Sequence, residues 1–123
     1  TGMRQSAATV TFSAELDHCL IEQKQEGPGT YRGWSFSGYH PVLGVWKKTY
    51  VDNLGQRILL TGGQVGDAIV LTGPKRVSGG ELLVRVTYAP AGENRVTQRW
   101  ETSRDGGTTW DEELEVQLIR VPA

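Results

Sequence analysis

One cysteine, Cys19, stands in the whole chain, so no internal disulfide can form, and a reducing compartment suits such a sequence. The two histidines, His18 and His40, share no metal-ligand spacing with each other or with a Cys or carboxylate cluster. A dedicated zinc site is therefore not expected, and nothing calls for a cofactor. No apolar run approaches the ~20 residues of a bilayer-spanning helix, and no basic segment followed by an apolar one opens the chain, so neither a membrane span nor a secretory leader is expected. Charge of one sign is also lacking: 13 Lys and Arg stand against 14 Asp and Glu, for a net charge of −1. The nearest approach to a basic cluster is Lys47-Lys48, too small to favour nucleic acid or an anionic membrane as a partner. Taken together, these absences make a cytoplasmic location the expectation.

Glycine is plentiful at 16 residues, scattered between short apolar runs. That composition suits many tight turns. The dominant pattern is period-2 alternation broken by turn residues, the mark of an all-β antiparallel meander. Nine strands are expected, at Ala7–Ala14, His18–Glu26, Thr30–Tyr39, Val45–Asp52, Gln56–Thr61, Asp67–Gly73, Glu81–Ala89, Arg95–Ser103 and Glu113–Val121. Gly62-Gly63 and Gly79-Gly80 read as turns, since neither is followed by the Lys and Ser/Thr of a phosphate loop. At 123 residues the chain is the size of one domain. Residues 1–6 are expected to be flexible, and Thr1-Gly2 ahead of Met3 reads as a cloning remnant. Short connections favour neighbouring antiparallel strands, and closing them into an up-and-down barrel removes exposed edges.

Alternation also assigns faces. Gln23 shares a row with Cys19 and Ile21. Trp46, Lys48 and Tyr50 share another, Val84, Val86 and Tyr88 a third, and Gln98 and Trp100 a fourth; Leu114, Val116, Leu118 and Arg120 form the inner row of the last strand. Polar groups inside a barrel cost free energy unless something hydrogen-bonds them. A packed core rarely chooses them, whereas a ligand-holding interior pairs apolar walls with a few placed polar groups. The third strand is open to two readings. Either Trp34 and Phe36 are core, or the smaller row of Gly33, Ser35, Ser37 and Tyr39 faces inward and leaves Trp34 and Phe36 as an exposed patch suited to a subunit contact. The candidate ligand-binding residues are Gln23, Ser35, Ser37, Tyr39, Trp46, Lys48, Tyr50, Tyr88, Gln98 and Trp100.

Lys48 between Trp46 and Tyr50 is the foremost chemical group. It can bind an anion or lose its proton and act as base or nucleophile, or it can simply snorkel to water. Cys19 reads as a small buried hydrophobe and the histidines as turn or surface residues. Ser103-Arg104-Asp105-Gly106-Gly107-Thr108-Thr109-Trp110 matches the Asp-box pattern Ser-x-Asp-x-Gly-x-Thr-Trp of sialidase propellers. One copy builds no propeller, so a structural turn is expected, with Asp105 accepting loop amides and Trp110 packing over it.

Several strings resemble a group of uncharacterised bacterial lipocalin-like, calycin-type proteins. They are Gly33-Trp34-Ser35 leading to Tyr39-His40-Pro41, Val45 through Asp52, Leu59 through Gly63, and Arg99 through Gly107 with Trp110. The resemblance covers about residues 17–120. It implies an up-and-down barrel with an internal cavity and carries no catalytic residues across. The group's usual Gly-x-Trp strand is missing before Ala7, which implies a barrel short of a strand or closed by a partner's strand. His40 stands where the group has Asp, and Tyr50 where it has Trp. The function expected is a barrel, non-enzymatic, that binds a small hydrophobic or amphipathic molecule. The alternatives are a small isomerase- or cyclase-type enzyme using Lys48 or His40, and an oligomerising module, with a homodimer as its simplest form.

Overall fold

Alternating residues and glycine-bearing turns fold this chain into one continuous antiparallel sheet. The computed structural model describes the backbone of residues 9–15 and all of residues 20–27 and 29–119. Nine strands follow in chain order: β1 Thr9–Glu15, β2 Leu20–Glu26, β3 Arg32–His40, β4 Val45–Asp52, β5 Arg57–Val65, β6 Ala68–Val77, β7 Gly80–Pro90, β8 Arg95–Ser103 and β9 Asp111–Ile119. Each pairs antiparallel with the next, in the order β1 to β9. This is the expected all-β meander. Residues 1–8, His18, Cys19 and Arg120, and the expectations placed on them, lie outside the described residues. Among the described residues no helix is long and apolar enough to cross a membrane.

Side chains reaching across the sheet show how strongly it curls. Tyr88 on β7 bonds Gln23 on β2 and Lys48 on β4, and the rings of Tyr50 on β4 and Trp100 on β8 meet edge to face at 5.6 Å. The result is a half-barrel whose opposite walls touch; among the described residues no ladder joins β9 back to β1. Ile58, Leu60, Leu71, Val84 and Val86 form the apolar core on the concave face. Removing such side chains from water is the main favourable term for a domain of this size.

Two sequence expectations are corrected in β5 and β6. Gly62-Gly63 is no turn but part of β5, with Gly62 opposite Leu71. A Cβ on Gly62 would collide with the Val70 carbonyl oxygen, and one on Gly73 with that of Leu59. Only glycine lets the strands approach so closely there. The reversal itself falls at Gly66-Asp67, between the partners Val65 and Ala68. Gly66 has φ +64°, which fits a two-residue turn with glycine at its first position. Likewise, Ser78 and Gly79 make the next turn, and Gly80 already belongs to β7.

The second correction concerns Pro74, which lies past the expected end of the sixth strand at Gly73 but is found inside β6. The β5–β6 ladder stops at Thr61 opposite Thr72. The carbonyl of Leu59 lies against Gly73, so Leu59 and Thr61 turn their main-chain polar groups toward β6. By strand alternation Thr72, Pro74 and Arg76 turn theirs toward β5. The next pair in register is then Leu59 with Pro74, and proline has no N–H to give. The opposite edge of β6 is unaffected and stays paired with β7 to Val77. Beyond Thr61 and Thr72 no ladder joins the two strands, although the Leu59 carbonyl still lies against Gly73.

Candidate functional site

Strand parity brings five polar residues to the middle of the concave face. In register, Gln23 lies opposite Ser35, Ser37 opposite Lys48, and Tyr88 opposite Gln98. Curling carries the second wall, β7 and β8, onto the first. Lys48 Nζ donates to Tyr88 Oη at 2.6 Å, Ser35 Oγ at 3.0 Å and Gln23 Oε1 at 3.2 Å. Tyr88 Oη in turn donates to Gln23 Oε1 at 3.2 Å and accepts from Gln98 Nε2 at 3.1 Å. Gln23, Ser35, Lys48 and Gln98 are buried, Lys48 to 3% exposure. Each of these polar side chains has a hydrogen-bond partner, as burial requires.

What the cluster lacks is a counter-charge. All three acceptors around the Lys48 ammonium are neutral, and among the described residues no carboxylate pairs with it. Burial therefore pulls the Lys48 pKa down from 10.5 to about 8. Burial also raises the Tyr88 hydroxyl, against a smaller opposite effect from the Gln98 hydrogen bond. At neutral pH the site holds a proton on Lys48 that its surroundings disfavour.

Aromatic rings surround the cluster. Trp46, Tyr50 and Trp100 are half-buried against the apolar core. Tyr50 hydrogen-bonds the Tyr31 hydroxyl and donates to Asp52 Oδ2 at 2.9 Å. Burial and the Asp52 charge raise the Tyr31 pKa. The cavity beside Lys48, lined by Gln23, Gln25, Gly33, Ser35, Tyr50, Gln98 and Trp100, has a volume of about 10 Å³. That is room for about one water.

Of the ten residues singled out in the sequence, Gln23, Ser35, Lys48, Tyr88 and Gln98 form the hydrogen-bonded cluster, and Trp46, Tyr50 and Trp100 pack around it. Ser37 is half-buried on the same face beside Lys48. Tyr39 stands at the rim, 51% exposed, its ring 5.6 Å from that of Trp46. In the third strand the small row faces inward; Trp34 is 46% exposed on the convex face beneath the Lys24 ammonium, and Phe36 is half-buried. His40 is exposed in the β3–β4 turn, where its Nδ1 accepts the Leu43 amide at 3.2 Å. The candidate residues left out Tyr31, Gln25 and Gly33. Tyr31 lies within the expected third strand, in the alternating row of Gly33 and Ser35, but only the fold brings it to Tyr50.

The Ser103–Trp110 segment is the turn its pattern predicts. Asp105 accepts the Thr109 amide at 2.8 Å and the Thr109 and Ser103 hydroxyls at 2.5 and 2.8 Å. Ser103 Oγ accepts the Gly107 amide at 2.8 Å, and Trp110 Nε1 donates to the Gly107 carbonyl at 3.1 Å. Arg85, doubly bonded to Glu101 at 2.9 and 3.0 Å, lies 4.1 Å over the Trp110 ring.

Among the described residues no cluster of His, Cys, Asp and Glu is arranged to hold a metal ion. No protein-family model matches the chain, and no curated protein matches it.

Proposed function

We propose that this protein is a binding protein whose lipocalin-like half-barrel holds a small amphipathic anion, with the Lys48 ammonium as the recognising charge. One observation carries the reading: a buried lysine whose partners among the described residues are all neutral. A buried ammonium without a counter-ion is costly, and an anionic head group that arrives with the ligand supplies the missing charge. Ser35, Gln23 and Gln98 add hydrogen-bonding groups around that head. Trp46, Tyr50 and Trp100 offer flat apolar surface to the rest of the molecule. Since the cavity beside Lys48 holds about one water, binding on this reading requires the edge-to-face Tyr50 and Trp100 rings to part. The single cysteine is consistent with work in a reducing cytoplasm.

The test uses two fluorescent probes that differ only in charge, a dansyl-labelled undecanoate and its methyl ester. The carboxylate should bind at least tenfold more tightly than the ester, and Lys48→Met should erase the difference. Equal affinities in the unaltered protein, or a preference that survives in Lys48→Met, would refute the reading.

One observation favours a second reading. With its pKa near 8, Lys48 is partly neutral at physiological pH, as an amine that attacks carbonyl carbon must be. Incubation with a small aldehyde and borohydride would leave a reduced adduct on Lys48 if this reading holds, and none if it does not.

A further inference from the structure

A second line of hydrogen bonds runs along the concave face beyond the lysine. Lys48, Tyr50 and Asp52 alternate in one row of β4, and Tyr31, Gly33 and Ser35 alternate beside them at the start of β3. Asp52 closes the row as a fixed acceptor. Its Oδ1 takes the amides of Leu54 and Gln56, both at 3.0 Å, and its Oδ2 takes the Tyr50 hydroxyl at 2.9 Å. A carboxylate only accepts, so the one hydroxyl hydrogen of Tyr50 is committed there. The Tyr50 oxygen must then accept from Tyr31, which commits the Tyr31 hydrogen in turn. Burial and the Asp52 charge raise the Tyr31 pKa, and so keep that hydrogen in place. The line ends at the Tyr31 oxygen, which has lone pairs but no hydrogen left to give. Among the described residues the Tyr31 hydroxyl has no other partner.

Gly33 sets the end of this line at the cavity beside Lys48. It lines that cavity, and a Cβ on it would meet the Tyr31 and Tyr50 hydroxyls at 2.8 and 3.1 Å. Both oxygens thus lie over a residue with no side chain to cover them. Tyr50 stands two residues beyond Lys48, about 7 Å along the strand. The concave face therefore presents an ammonium at one point and an acceptor-only oxygen a short chain's length away. Resting on the reading of Lys48 as the recognising charge, we propose that the Tyr31 oxygen is a second recognition point and that the ligand is a hydroxylated anion, its head group on Lys48 and its hydroxyl donating to Tyr31. A hydroxyl suits the place better than an ammonium. Asp52 already has three donors, and a cation would have to leave water for one neutral acceptor. Selection here is by hydrogen-bond polarity: a ligand group that can only accept finds no partner at Tyr31.

The experiment is displacement of the dansyl-labelled undecanoate from the full chain by a matched set of acids: hexanoate, ω-hydroxyhexanoate, ω-methoxyhexanoate and ω-aminohexanoate. The hydroxy acid should compete about fivefold more tightly than hexanoate, the usual worth of one neutral hydrogen bond. The methoxy and amino acids should gain nothing over hexanoate. The double variant Tyr31→Phe with Tyr50→Phe keeps both rings and removes both oxygens. It should level the hydroxy acid with hexanoate while hexanoate keeps its own affinity. Should that variant fail to fold, Gly33→Ala pushes both hydroxyls aside with one methyl group and should level the two acids in the same way. Equal competition by hexanoate and the hydroxy acid in the unaltered protein, or a hydroxyl preference that survives in the variant, would overturn the inference and leave the reading of Lys48 standing. Tightest competition by the amino acid would overturn it as well, by assigning the place to a cation. An unaltered protein that ignores the charge of the dansyl probe would overturn both.

Discussion

The molecule contains two dense polar networks, each built around one ionisable group, and they treat that group in opposite ways. In the Ser103–Trp110 turn, exposed Asp105 collects the Thr109 amide and hydroxyl and the Ser103 hydroxyl, and these bonds hold its pKa down at about 2. The hydrogen bonds around it favour the charge. At the concave centre, buried Lys48 collects three neutral acceptors, and burial moves its pKa to about 8, against the charge. A network that favours its charge holds a turn together, whereas one that disfavours it is what a binding or chemical site looks like before its partner arrives. Satisfied hydrogen bonds alone do not separate the two, since both are satisfied. The lack of a counter-charge among the described residues does.

Titration sharpens the contrast most. Between pH about 8 and 10.5 the unfolded Lys48 keeps a proton that the folded one has lost, so the unfolded state binds more protons and stability rises with pH. The contribution is on the order of 3 kcal/mol for a shift of this size. Urea unfolding from pH 7 to 10 should show that rise in the unaltered protein and its absence in Lys48→Met. The same variant should be at least as stable as the parent at pH 7, because a buried unpaired charge has been replaced by an apolar side chain of similar length. A lower stability at pH 7 would break the comparison by making Lys48 a structural residue.

Next in size is Ser103→Ala. Ser103 is 2% exposed, accepts the Gly107 amide and donates to Asp105. Losing these bonds should cost about 1–3 kcal/mol, read as a lower urea midpoint, with the affinity for the dansyl carboxylate unchanged. The smallest effect is that of Asp105→Asn. The carboxylate's folded pKa lies below its ordinary value of 3.8, so its stabilising contribution is present above that value and fades as pH falls toward 2. Acid unfolding in that window should be shallower in the variant, and the behaviour between pH 7 and 10 should not change.

Much of this was legible in the sequence because both signals are local. Period-2 alternation placed Gln23, Lys48, Tyr88 and Gln98 on one face from their neighbours alone, and the Asp-box spacing wrote its own turn. What alternation cannot give is the curl. That Tyr88 reaches Lys48, forty residues away, depends on how far the sheet bends, which no pattern of neighbours gives. Gly62-Gly63 read as a turn because glycine pairs usually are, whereas here glycine serves close strand approach. Pro74 misled for a similar reason: proline excludes only one edge of a strand, and which edge faces which neighbour is a matter of register. Nor does the sequence reveal that the interior is nearly closed. The volume beside Lys48 follows from side-chain packing across the two walls.

The account depends on the state of one amine. Carbon-13 NMR of the Lys48 Cε, titrated from pH 6 to 12, follows it directly, with Lys48→Met identifying the resonance. A midpoint near 8 that moves upward on addition of the dansyl carboxylate is the predicted result. A midpoint at or above 10.5, unmoved by the probe, would mean that Lys48 is an ordinary solvated lysine and would contradict the reading of the concave face as a site awaiting an anion.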